Sequence, residues 1–320
     1  MTETMPQFTL MRPSTVEDAV NALQTKAGAM LSAGGTDLFV RIRKQLAEPQ
    51  TLIDLTSIEE LNGIAQTKEG LRIGAGVTLN AIENSDLLNR DYTALAQAAA
   101  TVAGPSHRQV ATIGGNVCLD TRCVYFNQSH WWRKSNDFCL KYAGDTCHVA
   151  PSGNRCRAAF SGDLAPALMV HDAEIEIAGP TGRRRVPLDD FYVEDGAAHL
   201  GLMPDEIVTA LHMPKSARAS GYGKIRVRKA IDFPLAGVAV AREGHGNDSR
   251  LKVAVTGTNS RPFLIDISGL STASAEDHAY FAALEKHIQK AVSPQRTTMI
   301  APHYRRLSVA ALTARLARGL

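Results

Sequence analysis

The alternation of apolar and polar residues predicts an N-terminal unit in which helices and strands take turns along the chain. The predicted elements cover, in order, residues 15–23, 30–33, 38–44 and 52–55. Thr15 directly precedes the first apolar helical positions and has the side chain of a helix N-cap. The strand at 30–33 runs into Gly34 and Gly35. This order indicates a small α/β unit that ends near Thr56.

A second unit and a C-terminal domain follow. In the second unit we expect strands at 71–77, 173–178 and 183–186 and helices at 79–84, 95–101 and 164–170. Beyond a boundary at residues 213–218 we expect strands at 221–227, 236–242 and 251–256, a hairpin turn at 244–248 and a helical tail from residue 275. The predicted domains are therefore residues 1–56, 57–215 and 216–320.

The composition is that of a globular protein and gives no sign of a membrane or nucleic-acid partner. Apolar residues make up 44% and charged residues 21% of the 320 residues, a length that suits two or three domains. No apolar run of about eighteen residues occurs, and residues 1–6 lack the apolar core of a signal peptide, so we expect a cytoplasmic location. The net charge of +3 is too small to indicate nucleic-acid binding.

Two glycine-rich turns are candidates for binding a phosphate-containing cofactor. One spans Ser32–Asp37 and the other Thr112–Asn116, and each follows apolar residues. Consecutive glycines expose backbone N–H groups that no side chain shields, as a pyrophosphate needs, although an ordinary tight turn has the same composition. Neither a GxGxxG fingerprint nor a P-loop occurs. Two such turns suit the two ends of one extended dinucleotide.

A cluster of cysteines lies between the second turn and Asp163. Its members fall within 34 residues and are Cys123, Cys139, Cys147 and Cys156. In a reducing cytoplasm such a cluster binds metal more often than it forms disulfides. The spacing contains no C-x-x-C, so iron–sulfur, zinc with help from His130 or His148, and unrelated buried thiols all stay open. Cys118, just after the second turn, is expected to be a small buried hydrophobe.

The segment around these cysteines is also the basic part of the chain. Residues 117–162 hold six Lys or Arg against three Asp, which equals the whole net charge of +3. This excess predicts either a docking surface for an acidic electron donor, around Arg133 and Lys134, or only the solvated surface of a long loop. Both tryptophans, Trp131 and Trp132, lie here and either shield a metal centre or form the loop's own small core.

Three ordered motifs resemble the flavin subunits of the molybdenum hydroxylases, the family of the carbon monoxide dehydrogenase medium subunits and the xanthine dehydrogenases. They are Ala33-Gly34-Gly35, Thr112-Ile113-Gly114-Gly115-Asn116 and Asp163-Leu164-Ala165-Pro166-Ala167-Leu168. Residues 222–233 resemble the start of the family's C-terminal domain. The resemblance implies an α+β fold, with a two-part FAD-binding domain of the vanillyl-alcohol-oxidase (PCMH-like) type and a small α+β C-terminal domain.

The resemblance implies noncovalent FAD and assigns the residues that would hold it. This set is Leu31, Ser32, Ala33, Gly34, Gly35, Thr36, Asp37, Ala111, Thr112, Gly114, Gly115, Asn116, Asp163 and Lys224. The turns would wrap the pyrophosphate, Asp163 would bond the ribose or adenine side, and Lys224 would approach the isoalloxazine. His107 departs from the aliphatic residue common in the family, and Thr36-Asp37 from its His-Ser; neither change removes a backbone donor.

The cysteine-rich segment is an insert relative to the family. Asn116 and Asp163 are 47 positions apart, far more than in most relatives, and the insert covers about residues 119–159. The branch of the 4-hydroxybenzoyl-CoA reductases is similar in carrying an iron–sulfur cluster at this point. That resemblance implies a [4Fe-4S] cluster bound by Cys123, Cys139, Cys147 and Cys156.

The same resemblance implies an electron-transfer subunit without catalytic residues of its own. A large partner subunit would carry the molybdenum cofactor and a small one [2Fe-2S] clusters. Electrons would pass from reduced ferredoxin to the cluster, then to FAD and the partners, where 4-hydroxybenzoyl-CoA loses its phenolic hydroxyl. The alternatives are an ordinary hydroxylase flavin subunit with a zinc-stapled docking insert and an assembly module without a cofactor.

Overall fold

The structure is a computed structural model and describes residues 5–215, 218–244, 250–270 and 278–320. The predicted hairpin turn therefore lies outside the described residues except for Gly244, as do the first three residues of the predicted C-terminal tail. Within the described ranges, no helix is both long enough and apolar enough to cross a bilayer.

The N-terminal unit is a three-stranded parallel sheet with two helices. The strands are β1 (Thr9–Met11), β2 (Ala29–Ser32) and β3 (Thr51–Asp54) in the order β1-β3-β2, and the helices are α1 (Val16–Thr25) and α2 (Leu38–Arg43). The Thr15 hydroxyl caps α1 by accepting a hydrogen bond from the Asp18 N–H at 3.1 Å, as its position in the sequence predicts. Two short 3₁₀ turns follow, at Leu55–Ser57 and Glu59–Leu61.

The second sheet has five antiparallel strands. They are β4 (Ile64–Gln66), β5 (Gly70–Gly74), β6 (Glu174–Gly179), β7 (Gly182–Pro187) and β8 (Ile207–Pro214), in the order β4-β5-β8-β6-β7. The central strand β8 was not predicted, because both of its faces are covered and its residues show no alternation of apolar and polar positions. The strand expected at 71–77 ends at Gly74, where the Cβ of any other residue would lie 2.3 Å from the Leu61 carbonyl oxygen.

Seven helices connect the strands of this unit. They are α3 (Leu79–Glu83), α4 (Asp86–Asp91), α5 (Thr93–Thr101), α6 (Pro105–Arg108), α7 (Ile113–Val117), α8 (His130–Ser135) and α9 (Leu164–Met169). The apolar side chains of α5 and α9 belong to the largest core of the described residues, together with side chains of the second sheet. The insert leaves this core after α7 and returns to it at α9.

The third sheet follows the boundary near residue 215. Its strands are β9 (Ala219–Ile225), β10 (Ala236–Glu243), β11 (Arg250–Thr256) and β12 (Phe263–Ile265), antiparallel in the order β12-β11-β10-β9. One face packs on α5 and α9, and the other on α10 (His278–Ala291) and α11 (Pro302–Arg318). Arg305 of α11 is fully buried and donates to the carbonyl oxygens of Leu235 and Gln295, each at 2.9 Å.

Candidate functional site

The two glycine turns lie side by side in the folded chain. Gly35 has a φ of +67°, a left-handed conformation that favours glycine. At Gly34 a Cβ atom would lie 1.9 Å from the carbonyl oxygen of Val110, so the first turn is packed directly on the residues that lead into the second. Sequence analysis predicts two separate turns, and the structure brings them into contact.

The second turn is packed against Ala75 on one side and exposed at Gly115 on the other. Thr112 caps α7, its hydroxyl accepting from the Gly115 N–H at 3.1 Å, and the Gly114 N–H donates to the Ala75 carbonyl oxygen at 2.9 Å. Gly114 is buried against Ala75, where a Cβ would lie 2.8 Å from its carbonyl oxygen. Gly115, in contrast, is exposed, and a Cβ there would meet only the Thr112 hydroxyl oxygen, at 3.2 Å. A ligand can therefore approach the turn over Gly115.

The residues that follow the insert return to this turn. The Asn116 side-chain oxygen accepts from the backbone N–H of Leu164 at 3.0 Å, which joins the turn to the start of α9 across the insert. Ser161, which was not among the predicted site residues, is buried, and its hydroxyl has no hydrogen-bond partner among the described residues. A buried hydroxyl without a partner is costly, so a ligand that reaches this position is favoured.

Asp163 and Lys224 form a buried ion pair. Their side chains are 4% and 2% exposed, the Lys224 Nζ lies 3.1 Å from the Asp163 Oδ1, and the Tyr222 hydroxyl donates to the same oxygen at 2.6 Å. Burial raises the pKa of Asp163 and lowers the pKa of Lys224, and the attraction between the two opposes both shifts. Tyr222 and Lys224 are two residues apart on β9, so both side chains emerge on one face.

The structure brings together two residues for which the sequence suggested separate roles. Asp163 was expected at the ribose or adenine side and Lys224 at the isoalloxazine, which are opposite ends of an extended FAD. Their charged atoms are 3.1 Å apart, so the two side chains lie at one place in the fold. Tyr222 was missed, although its place two residues before Lys224 on a strand was the signal that could have found it.

The insert is closed at its base and folds around a cavity. Arg122 and Ala159 exchange backbone hydrogen bonds of 2.7 and 2.8 Å, so the two ends of the insert meet. The cavity is small and partly open to solvent. Its walls are Cys123, Cys139, Cys147 and Cys156, together with Tyr125, Phe126, Leu140, Lys141, His148, Val149 and Ala158. The four predicted ligands thus line one cavity, and Cys118 is not part of it.

The thiols of this cavity receive backbone hydrogen bonds. Ala158 N–H donates to the Cys156 Sγ at 3.4 Å, and the N–H groups of Tyr125 and Phe126 bond Cys123. Burial nevertheless raises the pKa of Cys123 and raises the pKa of Cys156 to about 11. These two thiols are therefore protonated at neutral pH, and a metal centre that binds them must release their protons.

A single metal ion does not fit the cysteines as they lie. Four sulfur ligands of one zinc ion are each ~2.3 Å from it and so within about 4 Å of one another. In the part of the chain that the structure describes, no three His, Cys, Asp or Glu side chains are close enough to hold one ion. One ring nitrogen of His148, a candidate extra ligand, bonds the Phe138 carbonyl oxygen instead.

The basic residues of the insert point mostly inward. Arg122, Lys141 and Arg155 each pair with a carboxylate of the core or of the insert itself. Arg133 is only 2% exposed and donates to the Gln45 carbonyl oxygen at 2.6 Å. The exposed charged residues of the insert are Lys134, Asp137 and Asp145, so its surface is not basic. The expected docking surface around Arg133 and Lys134 is therefore wrong, because counting charges does not reveal their burial.

The aromatic residues of the insert differ in their position relative to the cavity. Phe126 is buried beside Cys123 and Cys156, and Tyr125 also lines the cavity. Trp131 is 69% exposed and shields nothing.

Lys141, which sequence analysis did not single out, lines the cavity and donates to Asp120 at 2.7 Å and to the Gly196 carbonyl oxygen at 3.0 Å.

Comparisons with known proteins give a consistent result. Residues 6–216 match the family model described as FAD binding domain in molybdopterin dehydrogenase. The chain is 31% identical over 248 residues to the putative xanthine dehydrogenase FAD-binding subunit XdhB of Escherichia coli K12, a match that covers 76% of this chain and 71% of that protein. It is also 31% identical over 287 residues to the aldehyde oxidoreductase FAD-binding subunit PaoB of the same organism, covering 86% and 89%.

Solved structures agree in fold. A chain of the Cu,Mo-CO dehydrogenase in its cyanide-inactivated form superposes with a TM-score of 0.80 and 23% identity, over 99% of both chains. A chain of quinoline 2-oxidoreductase from Pseudomonas putida 86 gives 0.77 and 20%, again over 99% of both chains. At these identities the likeness concerns the fold alone, and it extends beyond residue 216 through the third sheet.

Proposed function

The chain belongs to the family of FAD binding domains in molybdopterin dehydrogenases, and from this we propose that it is the flavin and iron–sulfur electron-transfer subunit of a molybdenum-containing oxidoreductase. The binding of FAD follows from membership of this family. The iron–sulfur part depends on one observation, the lining of a single cavity by the four cysteines of the insert.

FAD fits the residues that surround the two turns. Gly115 leaves the front of the second turn open, and the backbone there carries no side chain that would exclude a pyrophosphate. The unpartnered hydroxyl of Ser161 and the buried Asp163–Lys224 pair lie on the segments that meet this turn. We assign the pair and Tyr222 jointly to one end of the cofactor, where they would fix its position through hydrogen bonds.

We propose a [4Fe-4S] cluster, and not one zinc ion, as the group that the four cysteines bind. A cluster of four irons spreads its sulfur ligands farther apart than a single ion, which accords with cysteines that share a cavity without converging on one point. Backbone N–H donors to Cys123 and Cys156 and apolar walls such as Phe126 are the features that tune such clusters. We therefore keep Cys123, Cys139, Cys147 and Cys156 as its ligands.

The protein's part in the chemistry is to bind, orient and shield. Bound FAD and the cluster supply one- and two-electron transfer, which no side chain of this chain can supply. Molybdenum and [2Fe-2S] clusters would reside on a large and a small partner subunit, as in the multi-subunit hydroxylases. The subunit would then act as a relay and hold no substrate-converting residue.

From the resemblance of the insert to that of the 4-hydroxybenzoyl-CoA reductases, we propose 4-hydroxybenzoyl-CoA as the substrate. Its reduction consumes two electrons and two protons and yields benzoyl-CoA and water, so electrons flow inward through this subunit. Ferredoxin remains our proposed donor, docking without the basic surface first expected.

A second candidate function has its own support. The match to the aldehyde oxidoreductase FAD-binding subunit spans more of this chain, 86%, than the match to the xanthine dehydrogenase subunit, 76%. Aldehyde oxidation takes oxygen from water and releases two electrons and two protons, so electrons would flow outward to an acceptor.

One set of measurements tests these proposals. The chain is purified anaerobically, and flavin, iron, sulfide and zinc are counted per protein. We expect one FAD with four irons and four sulfides; zinc instead of iron would refute the cluster, and a colourless protein would refute both cofactors. The co-expressed complex is then supplied either with 4-hydroxybenzoyl-CoA and reduced ferredoxin or with an aromatic aldehyde and an electron acceptor. Turnover of one pair and not the other fixes the direction of electron flow.

A further inference from the structure

The insert contacts the first glycine turn, Ser32–Asp37, through a salt bridge. The Arg122 guanidinium pairs with the Asp37 carboxylate, and the two side chains are 16% and 27% exposed. Asp37 is the last residue of the first glycine turn, and Arg122 directly precedes Cys123. The guanidinium also covers the Phe233 ring, 4.5 Å from its centroid, and its Nε is buried without a partner among the described residues.

The helix that follows the first turn presents one face to the insert. Asp37 bonds Arg122, Arg41 lies 3.1 Å from Asp120, and the Gln45 carbonyl oxygen accepts from Arg133. Asp37, at the N-cap position, and Arg41 are four residues apart and so lie on one face of α2, and Gln45 follows the end of that helix. Turn, helix and insert are thus in continuous contact from residue 37 to residue 45.

An acidic residue at this position is a problem for a pyrophosphate site. A carboxylate beside bound phosphates repels them, and partial burial strengthens the repulsion. Arg122 compensates the charge of Asp37, and its Nε is a further buried N–H group without a partner among the described residues. The Asp37 that replaces the family's serine is therefore compensated by an arginine that the insert supplies.

We infer that Arg122 is a positioning residue of the flavin site, supplied by the insert, which makes FAD binding depend on the folded insert. This inference rests on the proposed binding of FAD at the two turns. It adds to that proposal a residue outside the glycine motifs and a direct link between the two cofactor regions.

The test is an FAD titration of the full-length flavin-free chain, followed by the quenching of flavin fluorescence. Arg122→Gln leaves the Asp37 carboxylate uncompensated, and we expect the dissociation constant for FAD to rise about 10-fold or more. Asp37→Asn added to this variant removes the repulsion and should recover most of the affinity. Asp37→Asn alone should tighten FAD binding. Arg155→Gln is the matched control, because Arg155 is an insert arginine that pairs with Glu194.

The outcomes separate the inference from the proposed function. A parent chain that binds no FAD overturns the proposed function. A parent that binds FAD while Arg122→Gln binds it equally well overturns only the inference. If the double variant binds FAD as weakly as Arg122→Gln, the role of Arg122 is structural and the inference fails. Should Arg122→Gln not fold, Asp37→Asn decides, since weaker FAD binding by that variant also contradicts the inference.

Discussion

Replacement of Gly115 by valine separates ligand binding from folding. A Cβ at this position meets only the Thr112 hydroxyl oxygen, at 3.2 Å, and the residue is exposed on α7. Valine is a better helix former than glycine by a few tenths of a kcal/mol. Crowding of the Thr112 cap costs at most about 1 kcal/mol. The net change in unfolding free energy is therefore within about 1 kcal/mol, which corresponds to a melting shift below about 4 °C.

FAD binding should respond very differently. The valine methyl groups would occupy the space in front of the turn, where the pyrophosphate is proposed to lie, so the flavin-to-protein ratio should fall to near zero. Absorbance of the purified variant and a thermal melt of its flavin-free form measure the two effects. Gly34→Ala is the contrasting variant, because its Cβ would lie 1.9 Å from the Val110 carbonyl oxygen and must distort the fold. A Gly115→Val protein with full flavin would refute the assignment of this turn.

Three further predictions follow from described contacts. Serine at any one cluster position should abolish the four-iron content, whereas Cys118→Ser should retain it; iron counting checks this, and the cluster positions are Cys123, Cys139, Cys147 and Cys156. Arg305→Met leaves buried carbonyl oxygens without a donor and should lower the free energy of unfolding by about 3 kcal/mol or more. A thermal melt should then show a melting temperature lower by at least about 6 °C. Burial lowers the pKa of His171 and of His199 to about 4, so the unfolded chain takes up their protons first as pH falls from 6.5. Their stabilisation, up to about 3 kcal/mol each, is complete above pH 6.5 and lost towards pH 4. Denaturant titrations at several pH values should therefore show that the free energy of unfolding falls less between pH 6.5 and pH 4 in His199→Gln than in the parent chain.

The start of α1 and the two glycine turns could be predicted, because local chemistry dictates them. Thr15 caps α1, and Gly35 adopts a left-handed conformation that other residues avoid. Each signal lies within a few residues of the element that it shapes. The sequence therefore suffices for the start of α1 and for the existence of both turns.

Features that depend on distant residues could not be predicted in the same way. Asp163 and Lys224 are 61 positions apart, and only the folded chain brings them within hydrogen-bond distance. Arg133 looks like a surface charge, yet it is buried against the residues that follow α2. The clustering of the four cysteines within 34 residues indicated a shared site, whereas their spacing did not select the kind of metal centre.

The closed base of the insert has a consequence for how such subunits arise. Because Arg122 and Ala159 are hydrogen-bonded neighbours, the chain leaves the surrounding fold and re-enters it at one place. The entropic cost of a loop grows only with the logarithm of its length, about 0.6 kcal/mol per doubling. A change in the length of the insert therefore costs the fold little loop entropy, whereas a change at Arg122 or Arg133 would remove the contact with Asp37 or with the Gln45 carbonyl oxygen that joins the insert to the fold around it.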